Sequence, residues 1–127
     1  MTLPGEHGEG HTRRTAVGPE VAERVAEAMH ALATPSRVLI LSHLRERPHS
    51  VSELVAAVGM EQSAVSHQLK LLRVSRLVVG ERQGRRVVYS LYNHHVAWLI
   101  DQAIGHIEHL ELGAAAHPVR RIASRSR

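Results

Sequence analysis

The 127-residue chain has no cysteine and no phenylalanine, and its aromatic content is 2%. Without cysteine there is neither a disulfide nor a thiolate metal site. With one tryptophan, two tyrosines and no phenylalanine, the core must be built from Val, Leu, Ile and Ala. A small aliphatic domain buries limited area alone, which favours association between copies. No segment approaches the roughly 18 apolar residues of a membrane span. The opening "MTLPGEHGEGHTRRT" lacks the apolar centre of a secretion signal, so a cytoplasmic location is expected. Also missing are an HExxH helix, a nucleophile–base motif and a phosphate-cradling glycine loop. No enzyme is expected, and a metal-dependent hydrolase built on the chain's histidines has no support.

Charge is unevenly spread. The formal net charge is +4, but Gln62 to Arg86 holds Lys70, Arg73, Arg76, Arg82, Arg85 and Arg86 against Glu81 alone. From His94 to Glu111 there are Asp101, Glu108 and Glu111 and no Lys or Arg. The first region suits phosphates and the second suits cations.

Three segments are expected: a disordered arm over 1–17, one domain over 18–113 and a mobile basic tail over 114–127. Pro19 opens a helix over about 19–33. Thr34-Pro35 breaks it, and Pro35 starts a second helix to about Arg45. "RPHS" reads as a turn. Ser50 or Ser52 caps "VSELVAAV", and Ser50 with Glu53 matches the capping box. Gly59 ends that helix, and Ser63 begins another, running to about Val74 with Val65, Leu69 and Leu72 at helical spacing. "LVVGERQGRRVVYSLY" reads as two β-branched runs around Gly84, a hairpin with a basic tip. Asn93 caps a last helix to about Leu112, ended by Gly113.

Helix, tight turn, helix and basic hairpin together predict a mainly α fold with a β-hairpin wing, a winged helix-turn-helix. The second helix of the motif presents Gln62, Ser63, Ser66, His67, Gln68, Lys70 and Arg73. Such side chains hydrogen-bond base edges or phosphates from a helix in the major groove. Arg82, Arg85 and Arg86 on the wing reach flanking backbone or the minor groove. Double-stranded DNA is therefore the expected partner.

The last helix carries His94, His95, His106 and His109 in an apolar stretch. At about 100° per residue, His95, His106 and His109 fall within roughly 60° of one another. His95 nevertheless lies about 16 Å along the axis from His106, so one helix cannot close all three around one ion. Two copies paired antiparallel near Asp101 and Gln102 bring His95 of one to His106 and His109 of the other, and the two-fold creates two such sites. Val96, Ile100, Ala103, Ile107 and Leu110 form an adjoining apolar stripe for the partner or the body. His30, His43 and His49 read as structural or surface groups.

"ALATPSRVLILSHLRE", "SAVSHQLKLL", the "GR..VYSL" wing and the histidine-bearing last helix closely resemble the ArsR/SmtB family of bacterial metal-responsive repressors, over about residues 20–112. The N-terminal flank and last helix are most similar to its nickel/cobalt sensors. The resemblance implies a homodimer that binds an inverted-repeat operator and is released by metal. It also implies an interhelix site whose ligands map to Asn93, His95, His106 and His109. Position 93 is Asn where the family usually has Asp, and an amide oxygen is the poorer ligand. The fourth donor then shifts to His94, Asp101 or Glu108, or direct sensing is lost. Three imidazoles and an oxygen would suit zinc; nickel or cobalt, which take more nitrogen and oxygen donors, are favoured, with His7, His11 and His117 as extra donors. The cysteine pair that other members carry on the helix before the recognition helix is missing, so an arsenic, lead or cadmium site is unsupported. The alternative is a winged-helix regulator that does not sense metal, with a partner protein or nothing as effector.

Overall fold

A computed structural model describes residues 15–113, as two compact units that divide between His30 and Ala31. Helix α1 (Pro19–Ala31), which lies in the first unit up to His30, opens at a proline and carries Glu20 in its first turn, where the helix dipole favours an acid. Val21, Val25 and Met29, spaced by four, line one of its faces.

The second unit runs α2 (Pro35–Glu46), β1 (His49–Ser50), α3 (Val51–Val58), α4 (Gln62–Val74), β2 (Val78–Gln83), β3 (Arg86–Leu91) and α5 (His94–Gly113). Each start has a local cause. Thr34 caps α2, its hydroxyl accepting from the Arg37 N–H at 3.2 Å, with Pro35 next. Ser50 and Glu53 close the expected capping box on α3: Ser50 Oγ accepts from Glu53 N at 3.2 Å and Glu53 Oε1 accepts from Ser50 N at 2.9 Å. Gly59 then ends α3 in the left-handed region at φ 74°. Helix α4 starts at Gln62, behind Glu61, without a side-chain cap. It ends on a left-handed Arg76, where Leu77 N–H reaches back to Leu72 O at 2.9 Å.

"RPHS" is only partly a turn. His49 and Ser50 pair with β3, opposite Tyr89 and Val88, so the wing hairpin is the outer part of a three-stranded antiparallel sheet of order β1-β3-β2. A two-residue strand carries no alternation to read, because its partner lies some forty positions away. Gly84 turns the hairpin at φ 68°, as its place between the two runs requires.

The core is aliphatic, as the missing phenylalanine dictates. Ile40, Leu41 and Leu44 of α2, Leu54 of α3, Val65, Leu69 and Leu72 of α4, then Leu77 and Val78 close around one another. Each such side chain contributes about 1.5–3 kcal/mol on leaving water. Helix α5 adds Val96 and Ile100, with Ile104 packed partly against the cluster. The stripe expected on this helix therefore divides: Val96 and Ile100 face the body, while Ala103, Ile107 and Leu110 are exposed.

Candidate nucleic-acid interface and candidate metal centre

Helix α4 buries Val65, Leu69 and Leu72 and turns its opposite side outward. Gln62, Ser63, Ser66, His67, Lys70 and Arg73 lie on that exposed side. At about 100° per residue they occupy one arc of roughly 140°, a continuous polar strip along the helix. Gln68 differs. It is half-buried, and its Oε1 accepts from Arg37 Nε at 2.8 Å. Arg37 also donates from Nη1 to Ala31 O at 3.2 Å. Gln68 thus fixes α4 against the start of α2, and no local pattern in the sequence signals that long-range pairing.

On the wing, Arg82, Arg85 and Arg86 are exposed near the Gly84 turn. Arg82 Nη1 lies 3.4 Å from Gly84 O. Arg86 Nη2 is 3.8 Å from Glu53 Oε2, and Arg47 Nη1 is 3.8 Å from Glu53 Oε1. The Ser50 backbone N–H, with Arg86 and Arg47, holds the Glu53 carboxyl below its usual range. Glu53 therefore braces the wing base while it caps α3. At Gly80 a Cβ would stand 2.9 Å from Tyr89 Cε1 and 3.1 Å from Val87 Cγ1, so a larger residue there would have to displace the Tyr89 ring.

His49 is buried at 4% exposure, with Nδ1 2.8 Å from Arg47 O, and its ring meets His43 edge-on at 5.9 Å. Both sit in the scaffold rather than on the reading strip.

The outer face of α5 carries His94, His95, His106 and His109, all exposed. The rings of His94 and His95 lie 4.3 Å apart. Among the described residues, no three His, Cys, Asp or Glu of a single chain come together as a metal cage. Asn93 is already engaged: its Oδ1 accepts from the N–H of His95 at 3.1 Å and of Val96 at 3.2 Å. Asp101 is engaged too, by a forked ion pair with Arg45 of α2, with Nε to Oδ1 and Nη2 to Oδ2 at 2.9 Å. The Arg45 hydrogen bond holds the Asp101 carboxyl below its usual range. Of the alternative fourth donors, His94 and Glu108 stay exposed. His7, His11 and His117 lie outside the described residues.

A recognition helix behind a capped helix, with a basic three-stranded wing beside it, defines a winged helix-turn-helix regulator. Residues 34–79 match the bacterial regulatory protein arsR family. The chain is 56% identical over 115 residues to the HTH-type transcriptional regulator NmtR of Mycobacterium tuberculosis, covering 88% of this chain and 96% of that protein. It is 43% identical over 97 residues to the transcriptional repressor SmtB homolog of Synechocystis, covering 72% of this chain and 74% of the other. The solution structure of apo-NmtR superposes with a TM-score of 0.66 over 82% of this chain and 88% of that one. The homodimeric winged helix-turn-helix DNA-binding domain Mb0332 of Mycobacterium bovis, 26% identical, superposes at 0.68 over 77% of this chain and 91% of that one. The chain belongs to the ArsR family of transcriptional regulators, and is a DNA-binding protein rather than an enzyme. No helix among the described residues is long and apolar enough to cross a membrane.

Proposed function

We propose that the protein acts in the cytoplasm as a homodimeric repressor that binds an inverted-repeat operator and is released by nickel or cobalt, with zinc the weaker candidate. One observation carries this reading. Helix α5 leaves His95, His106 and His109 exposed beside Ala103, Ile107 and Leu110, so the imidazoles and an apolar strip share a surface. A second copy laid antiparallel on that surface buries the strip and joins His95 of one chain to His106 and His109 of the other. Neutral imidazoles suit nickel, cobalt and zinc, and the absence of cysteine leaves softer ions without their preferred donors. The arm over 1–17 supplies His7 and His11, and the tail over 114–127 supplies His117, as further donors.

On the DNA, Gln62, Ser63, Ser66, His67 and Lys70 read the major groove. Arg73, Arg82, Arg85 and Arg86 hold phosphates, and Gln68 aligns the helix. Half-sites about 34 Å apart must match the spacing of the two reading heads, so an ion that changes the pose of the last helices weakens binding. That ion supplies the differential contact any coupling needs. Mobility shifts on DNA from upstream of the protein's own gene, with and without nickel, cobalt and zinc, test the reading. Release by nickel or cobalt supports it, and an unchanged shift at saturating metal overturns direct sensing.

The engagement of Asn93 Oδ1 in the helix cap favours a second reading, in which the histidine face is structural and DNA binding answers to a partner protein or to nothing. Calorimetry that finds no stoichiometric nickel or zinc site supports it.

A further inference from the structure

Helix α5 meets the body through an apolar row, Val96, Ile100 and Ile104. Apolar contacts are non-directional, and a row spaced by four lets a helix roll with little change in buried area. Direction comes from the Arg45–Asp101 fork, in which a planar guanidinium meets both carboxylate oxygens. Its two residues are 56 positions apart and both are partly exposed. An exposed ion pair adds little stability, so geometry is its main contribution. Arg45 stands in the last turn of α2. That helix leads into β1, which pairs with the wing strand β3. At its other end, Arg37 holds Gln68 of the recognition helix. Helix α2 is thereby tied to both DNA-facing elements.

We propose that the Arg45–Asp101 fork sets the angle at which each reading unit hangs from the last helix, and so the base-pair spacing between half-sites that the dimer accepts. This rests on the reading that two copies pair along their last helices. Each recognition helix then lies about 17 Å from the two-fold, half the roughly 34 Å between half-sites. A roll of the last helix swings the reading unit about that helix's axis, and a displacement along the DNA of only ~3.4 Å already equals the advance of one base pair. Arg45 and Asp101 are positioning residues: they act on DNA through the elements they hold.

The test uses the full chain in metal-free buffer and inverted-repeat DNA whose half-sites are moved together or apart by single base pairs, read by fluorescence anisotropy. Asp101→Asn removes the charge with little change of shape, and Arg45→Lys keeps the charge but loses the fork. Both variants are expected to bind the best spacing more weakly and the shifted spacings relatively better, with discrimination falling about threefold or more and unchanged circular dichroism. Variants that keep the wild-type spacing profile, or that weaken at every spacing alike, overturn the proposal. A wild-type protein indifferent to spacing would instead remove the paired-helix reading beneath it.

Discussion

Asn93→Asp separates the cap that position 93 forms from the ligation that the proposed metal site would ask of it. The asparagine offers one oxygen, and that oxygen accepts from His95 N at 3.1 Å and Val96 N at 3.2 Å. The other end of the amide only donates. An ion could recruit Asn93 only by taking it from the cap, which costs about 0.5–2 kcal/mol. A carboxylate has two oxygens, so one caps while the other ligates. Its charge at the start of α5 adds about 0.3–1 kcal/mol from the helix dipole. Urea unfolding of the metal-free variant is therefore expected to match wild type or exceed it by up to about 1 kcal/mol. Nickel affinity, measured by competition with a chelator, is expected to rise at least about tenfold, equivalent to roughly 1.4 kcal/mol. Asn93→Ala should lose about 1 kcal/mol of stability with little change in nickel affinity. An Asn93→Asp variant that folds normally but binds nickel no more tightly would refute the reasoning.

Leu69→Ala, at a side chain 1% exposed in the centre of the core, should cost about 2–5 kcal/mol in urea unfolding. Arg82→Ala and Arg85→Ala should each lower the slope of log affinity against log salt by about 0.9, whereas Gln68→Ala should weaken binding without changing that slope. Glu53 and Asp101 titrate below their ordinary values of 4.5 and 3.8. A lowered folded-state value means that their contribution is present above those values and is lost as the pH falls through the folded ones. Because both carboxylates are partly exposed the contribution is small: acid titration of stability should show only a slight added loss below about pH 4.5, and Asp101→Asn should leave it little changed.

The features legible in the sequence are those whose cause is local. Pro19 and Pro35 mark helix starts, Ser50 with Glu53 spells a capping box, and Gly59 and Gly84 mark turns of positive φ. Val65, Leu69 and Leu72 repeat at the period of a buried helix face. Thr34 as the cap of α2 is equally local, since it sits directly before the proline that starts the helix. What escaped is long-range. The β1 strand exists because β3 lies beside it. Gln68 leaves the reading strip because Arg37, 31 positions earlier, claims its oxygen. Asp101 looks like a spare metal donor until Arg45 is placed beside it. The last helix's stripe read as continuous because a 100° wheel cannot say which of two neighbouring surfaces each apolar residue meets. The buried row continues to Ile104, leaving Ala103 and Ile107 to the other surface.

The decisive measurement is complementation between chains. His95→Ala protein lacks one half of each proposed site, and His106→Ala/His109→Ala protein lacks the other. Neither alone should bind nickel stoichiometrically. Mixed dimers would contain one intact site, formed by His106 and His109 of the first chain with His95 of the second. Recovery of nickel binding on subunit exchange is the predicted result. If exchange occurs and binding does not return, the last helices do not share an ion across the two-fold.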